Sequence, residues 1–261
     1  MKKKNVLVGI FALTLVLTLG YAMSLPEDKT DWKTVSYNQV KRSESKVEVN
    51  ENQSTQSKEI NSIVFSHGSK DEKLISLTFD DGPHPTETDK VLDVLKKYNI
   101  KATFFVAGKH VKWYPDPVIR ASKEGHEIGN HTFNHYDIAN LSNAQLEDEI
   151  KMCEDVIKEK TGKTPTLFRP PYGSYSKNGL PEIADKNGYK IVLWGGVDAL
   201  DWKNPSAESI AKNITSSVEN GEIILLHDYA TTNTVEALEI LIPQLQSQGY
   251  KFVTVSQLLS E

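Results

Sequence analysis

Five short clusters of chemistry-bearing side chains punctuate the chain. They are Asp80-Asp81-Gly82-Pro83, His131-Thr132-Phe133-Asn134-His135, Arg169-Pro170-Pro171-Tyr172-Gly173, Asp198-Ala199-Leu200-Asp201-Trp202 and Leu225-Leu226-His227-Asp228. Each has a plain structural reading when taken alone. Asp81-Gly82-Pro83 is ordinary turn chemistry, and two histidines four apart can be surface residues. The Pro-Pro-Tyr-Gly run can be a rigid loop, and a histidine after an apolar strand can be a satisfied core residue. Together they make a hydrolytic set. If the segment holding His131 and His135 is helical, the two rings share a face and reach one ion. A carboxylate from another strand then completes a two-histidine, one-carboxylate site with open positions, as hydrolytic zinc sites need. Asp80 and Asp81 offer one ligand and one acceptor for a proton from water. His227, arriving from a distant strand, suits an acid that protonates a leaving group.

The elements that must position these clusters are legible as apolar runs. LISLTF from Leu74, ATFFV from Ala102, TLF from Thr166, KIVLW from Lys190, EIILL from Glu222 and KFVTV from Lys251 read as strands, with a weaker HEIG from His126. Helix-period segments lie between them at Thr86–Tyr98, Asp116–Glu124, Ser142–Lys160, Ser206–Val218 and Thr234–Gln248. Ser142 followed by Gln145 resembles a capping box, and Gly162 is a helix stop. Alternating strands and helices imply a parallel sheet, and about seven β/α units favour a distorted, incomplete (β/α) barrel. No G-x-G-x-x-G or Walker motif follows the first strand, which argues against dinucleotide and P-loop folds. The clusters fall at strand C-termini, where barrels of this class build their sites. Coincidence is a poor account of five.

Length and composition fit this reading. The 261 residues carry 30 basic and 35 acidic side chains, a net charge of -5 without the basic stripe of a nucleic-acid binder. One cysteine, Cys153, excludes an internal disulfide framework. It lies with Ile150 and Ile157 at helical spacing and reads as a buried structural thiol. Lys2 to Lys4 precede an uncharged stretch from Asn5 to Pro26. At 1.5 Å per residue its roughly 22 residues reach ~33 Å, enough to cross a bilayer core. Residues 1–25 are therefore expected to be a signal peptide or a membrane anchor, with the rest of the chain outside. Residues 26–70, rich in Glu, Asn, Gln and Ser, read as a flexible linker, and residues 71–261 as the catalytic domain.

The five clusters, in this order and approximate spacing, resemble the motifs of polysaccharide deacetylases of carbohydrate esterase family four. The likeness spans about residues 70–261, with no departure in the motif residues. It implies the barrel fold, one divalent ion (zinc first, with cobalt or nickel able to substitute), and removal of N-acetyl groups from N-acetylglucosamine units of a polysaccharide. Peptidoglycan is the expected polymer, since an exported enzyme on a linker faces the cell's own wall. Residue by residue, it implies Asp80 as general base, Asp81, His131 and His135 as metal ligands, and His227 as general acid. Arg169 would orient the base, Asp201 would pair with the catalytic histidine, and Asp198 is a weaker candidate for that pairing. Tyr172, Trp202 and Leu225 would wall the acetyl pocket. A xylan-type O-acetyl esterase would use the same site, and a non-catalytic wall-binding protein would tolerate loss of ligands that are all present here. A monomer without a nucleic-acid partner is expected. His84 reads equally as a substrate contact or a turn residue, Trp194 as core, and His110 and His126 have no nameable partner.

Overall fold

The computed structural model describes residues 63–175, 179–197, 199–230 and 232–260. The expected membrane segment, most of the expected linker and Asp198 lie outside these residues. Among the described residues, no helix is long and apolar enough to cross a membrane.

The described residues form eight strands: β1 (Val64–Phe65), β2 (Leu74–Asp80), β3 (Thr103–Val106), β4 (Glu127–Asn130), β5 (Leu167–Phe168), β6 (Lys190–Val192), β7 (Ile223–His227) and β8 (Lys251–Phe252). Their order is β1-β6-β5-β4-β3-β2-β7, with β8 paired to the start of β2. Every ladder is parallel. The helices are α1 (Glu87–Lys97), α2 (Gly108–Trp113), α3 (Pro115–Lys123), α4 (Asn143–Thr161), α5 (Leu180–Lys186), α6 (Ala207–Thr215), α7 (Thr234–Ser247) and α8 (Val255–Leu258).

All seven residues of β2 are buried, because helices cover one face of the sheet and the barrel interior covers the other. Successive side chains alternate between these environments. Ile75, Leu77 and Phe79 join the helical core with Leu92, Leu238 and Leu241, and the Phe79 ring stacks on Phe104 at 5.1 Å. Leu74 instead packs with Phe105, Val192 and Ile223. The same alternation puts Thr78 and Asp80 on the barrel side. Strand period alone thus delivers a carboxylate to the interior.

The expected distorted, incomplete barrel is what the chain forms. β1 and β7, at the ends of the strand path, share no ladder, and the seam between them is closed by scattered contacts. His67 forms an isolated antiparallel bridge with Glu222, and the Gly68 N–H donates to the Gly221 carbonyl at 2.8 Å. Gly221 has φ 77°, and a Cβ there would lie 2.6 Å from the Ser69 carbonyl oxygen, so only glycine fits. This corrects the expected linker boundary at residue 70. β1 pairs with β6 at Val64↔Ile191 and Phe65↔Val192, so the folded unit already includes residue 64. The two-residue strand is too short to show periodicity. Helices α2, α5 and α8, of six, seven and four residues, went unread in the sequence for the same reason.

Helix α4 supports the site and is well delimited. Ser142 and Gln145 form the expected capping box, and Gly162 closes the helix in the left-handed conformation at φ 73°. Cys153 on this helix is fully buried, as expected, and burial pushes its thiol up to about 12. Ser142→Ala should lower unfolding stability by about 1 kcal/mol through loss of the cap. Urea denaturation followed by circular dichroism checks this.

Candidate active site

The C-terminal ends of β2, β4, β5 and β7 converge on one mouth. Asp80 closes β2 in register with Phe105 on one side and His227 on the other. The chain then turns sharply, since Asp81 has φ 73°. Both carboxylates are therefore carried to the mouth although strand alternation alone would separate them. His131 follows β4 directly and is buried.

Asp81, His131 and His135 form the one candidate metal cluster among the described residues, with ligand atoms within 4.8 Å of one another. The Asp81 Oδ1 lies 2.9 Å from His135 Nε2 and 3.4 Å from His131 Nε2. That oxygen is buried and accepts no hydrogen bond. His131 donates from Nδ1 to the Arg169 carbonyl at 2.6 Å, which leaves Nε2 turned to the site with its lone pair. A buried oxygen without a donor, facing two imidazole nitrogens, is a set of atoms that could hold a divalent cation. Burial raises the Asp81 carboxyl, but the neighbouring His135 and His131 outweigh it and hold the group well below the usual carboxylate range.

The segment 131–135 is not helical, which corrects the geometry expected from the four-residue spacing. Thr132 and His135 have φ 65° and 61°, and the segment is a loop. It is tied down by side chains. The Thr132 N–H donates to Asn130 Oδ1 and the His135 N–H to Thr132 Oγ1, both at 3.0 Å. Glu149 of α4 accepts from the Asn134 main chain at 2.7 Å and from its amide at 2.6 Å. Asn130 is itself fixed by Nδ2 donating to the Ile150 carbonyl at 2.9 Å.

Behind the cluster, Arg169 is fully buried and donates from one terminal nitrogen to Asp80 Oδ1 at 2.8 Å and to Thr78 Oγ1 at 2.7 Å. On the other side, His227 Nδ1 lies 2.8 Å from Asp201 Oδ1. The second Asp201 oxygen accepts from the His227 N–H and from Thr234 Oγ1, both at 2.8 Å. Burial lowers the His227 imidazolium, yet Asp201, with help from Asp81 and Asp80, lifts it to about 10. Asp80 and His227 therefore face the metal cluster as one carboxylate oriented by a cation and one imidazole oriented by an anion.

Of the expected wall residues, Tyr172 lies beside the candidate metal cluster. Tyr172, at φ 59°, sets its ring edge-on to His135 with centroids 5.0 Å apart. Gly173 has φ 69°, and a Cβ there would lie 3.0 Å from the Trp194 ring. Leu225 is half-buried on β7 opposite Thr78, and Trp202, half-buried, donates its main-chain N–H to Asp201 Oδ1 at 2.9 Å. Three contributors have no role assigned from the sequence. Glu149 carried a signal, a carboxylate on the buried stripe of Leu146, Ile150 and Cys153. Asp228 is buried with Oδ2 accepting from Thr88 Oγ1 at 2.5 Å, and burial pushes it up to about 7. His110 donates from Nδ1 to the Asp81 carbonyl at 2.6 Å. A 320 Å³ cavity beside His126 lies at the opposite, N-terminal ends of β4 and β5.

Known proteins carry the same architecture. Residues 67–192 match the sequence pattern described as polysaccharide deacetylase. A peptidoglycan-N-acetylglucosamine deacetylase of Bacillus cereus is 47% identical over 191 residues, covering 72% of this chain and 89% of that one. The peptidoglycan-N-acetylmuramic acid deacetylase PdaC of Bacillus subtilis is 41% identical over 187 residues, and that match covers 72% of this chain but only 39% of the relative. The crystal structure of the Bc1960 peptidoglycan N-acetylglucosamine deacetylase superposes with a TM-score of 0.73 at 36% identity, covering 76% of this chain and 93% of that one. This chain belongs to the polysaccharide deacetylase family, carbohydrate esterase family four.

Proposed function

We propose that the protein is a metal-dependent hydrolase that removes N-acetyl groups from N-acetylglucosamine units of peptidoglycan and releases acetate. The observation that carries this reading is the placement of an Arg169-held carboxylate, Asp80, and an Asp201-held imidazole, His227, around the Asp81–His131–His135 cluster. The oxygen and nitrogen donor set suits zinc, with cobalt or nickel able to exchange into a site of three protein ligands. Such an ion supplies polarisation of the amide carbonyl and a more acidic water. Asp80 takes the proton from the attacking water while Arg169 keeps its carboxylate aimed. The Tyr172 main-chain N–H donates to the oxyanion as it develops. His227, charged at neutral pH, gives its proton to the departing sugar amine. Tyr172, Trp202 and Leu225 enclose the acetyl methyl. The relatives named for peptidoglycan favour the wall polymer, and the basic-then-apolar N-terminus favours action outside the cell, tethered or released.

Mass spectrometry tests the substrate assignment directly. Peptidoglycan fragments should lose acetyl groups, 42 Da being roughly the mass difference per site, faster than chitooligosaccharides of equal length; acetate release from neither would refute the reading. His131→Ala should lose both bound metal and turnover, as read by elemental analysis and acetate assay. Asp80→Asn should keep the metal and lose about 10²–10⁴-fold in turnover, because it removes a proton acceptor but no ligand.

The pH profile follows from the same geometry. Activity needs protonated His227, so it is lost as pH rises through the folded pKa of that group. Asp201 raises that pKa, hence Asp201→Asn should move the alkaline limb of the kcat profile to lower pH. A bound cation lowers the midpoint in both proteins and leaves the direction of the difference unchanged.

A further inference from the structure

The turn that presents Asp81 is held by three consecutive carbonyls. The Asp80 carbonyl accepts from the Asp228 N–H at 3.3 Å, and the Gly82 carbonyl accepts from the Ala107 N–H at 2.9 Å. The middle carbonyl, that of Asp81, accepts from a side chain, His110 Nδ1, at 2.6 Å. A carbonyl only accepts, so the geometry fixes the proton on Nδ1. Asp81 is also the residue of this turn in the left-handed region, a conformation that a side chain other than glycine keeps only when its surroundings enforce it.

His110 is itself immobilised. It is buried in α2, and the Tyr229 ring lies parallel to it with centroids 3.9 Å apart and planes 6° apart. Trp113 flanks it at 5.5 Å, and His84 meets the far ring, Tyr229, at 5.8 Å. Tyr229 follows His227 by two residues. The loop carrying the imidazole at one side of the mouth therefore clamps the ring that holds the carboxylate at the other side.

We propose that His110 is a positioning residue for the metal site: its Nδ1–H fixes the left-handed Asp81 peptide so that the carboxylate meets His131 and His135, and Tyr229 locks the ring that makes this bond. The proposal rests on reading Asp81, His131 and His135 as the metal ligands. Its reach is metal affinity and the turnover that depends on it, without an effect on sugar binding.

Calorimetric titration of the metal-stripped full chain with cobalt(II) provides the test, with the visible cobalt spectrum as a second readout. His110→Phe keeps the stacked ring and loses the donor, so cobalt affinity should fall about 10–100-fold, with kcat reduced at subsaturating metal and KM unchanged. His110→Asn carries an N–H near the position of Nδ1 and should recover most of that loss. Equal cobalt affinity in His110→Phe and the parent, or equal losses in the Phe and Asn variants, would overturn the proposal. If His110→Phe does not fold, Tyr229→Leu at the half-buried partner ring reads the same device. An undiminished cobalt affinity there overturns it too. Failure of the parent protein itself to bind cobalt would instead sink the metal assignment on which the proposal stands.

Discussion

Arg169 is the interaction on which the site depends. It is wholly buried in the barrel with its guanidinium 4.1 Å over the Phe105 ring, and it donates to Thr78 and Asp80 of β2 and to the carbonyls of Val192 and Leu193 at the end of β6. Its own main chain extends the reach. The Arg169 N–H donates to the Asn130 carbonyl at 3.0 Å, and its carbonyl receives His131 Nδ1. One residue thus joins β2, β4 and β6, orients Asp80, and selects the tautomer of His131. A buried ion pair is a poor source of net stability, because desolvation offsets its Coulombic gain. What Arg169 contributes is geometry. With the guanidinium making four bonds to fixed acceptors, Asp80 is held in one orientation and the His131 ring beside it is anchored through Nδ1.

Backbone strain collects at the same place. Of the seven non-glycine residues with positive φ among those described, Asp81, Thr132, His135, Tyr172 and Leu200 border the mouth. Each costs on the order of 1–3 kcal/mol, which ordinary loops avoid. The surrounding hydrogen bonds, from Asn130, Thr132 and His110, make the cost tolerable. Stored strain and compensating polar bonds are two aspects of one design, in which a rigid sheet forces its loops to converge.

The strongly buried parts of this arrangement were readable in the sequence, and the locally irregular parts were not. β2, β3 and β7 announced themselves as uninterrupted apolar runs because both faces of a parallel strand are covered. The clusters at Asp80-Asp81 and His227-Asp228 followed from the register of β2 and β7, whereas His131, His135 and Arg169 came after the weaker HEIG and TLF runs of β4 and β5. The conformation of 131–135 could not be read, since a four-residue spacing fits a helix and a left-handed loop equally. β1 was lost in a polar stretch because two residues show no period. His110 had no legible partner because its acceptor is a main-chain oxygen, which no side-chain pattern encodes. The residues that bond backbone rather than other side chains are, for this reason, the ones that sequence inspection passes over.

The parallel sheet has a further consequence for how the molecule can be attached to anything else. β1 runs parallel to β6, so the chain enters the fold at the strand ends remote from Asp80 and His227. β8 pairs with the beginning of β2, and α8 follows it with Val255 N–H donating to Thr103 Oγ1 at the start of β3. Entry and exit therefore share the floor of the barrel, while the catalytic mouth occupies the roof. A long polymer crossing the roof would stay clear of the points where the described residues enter and leave the sheet.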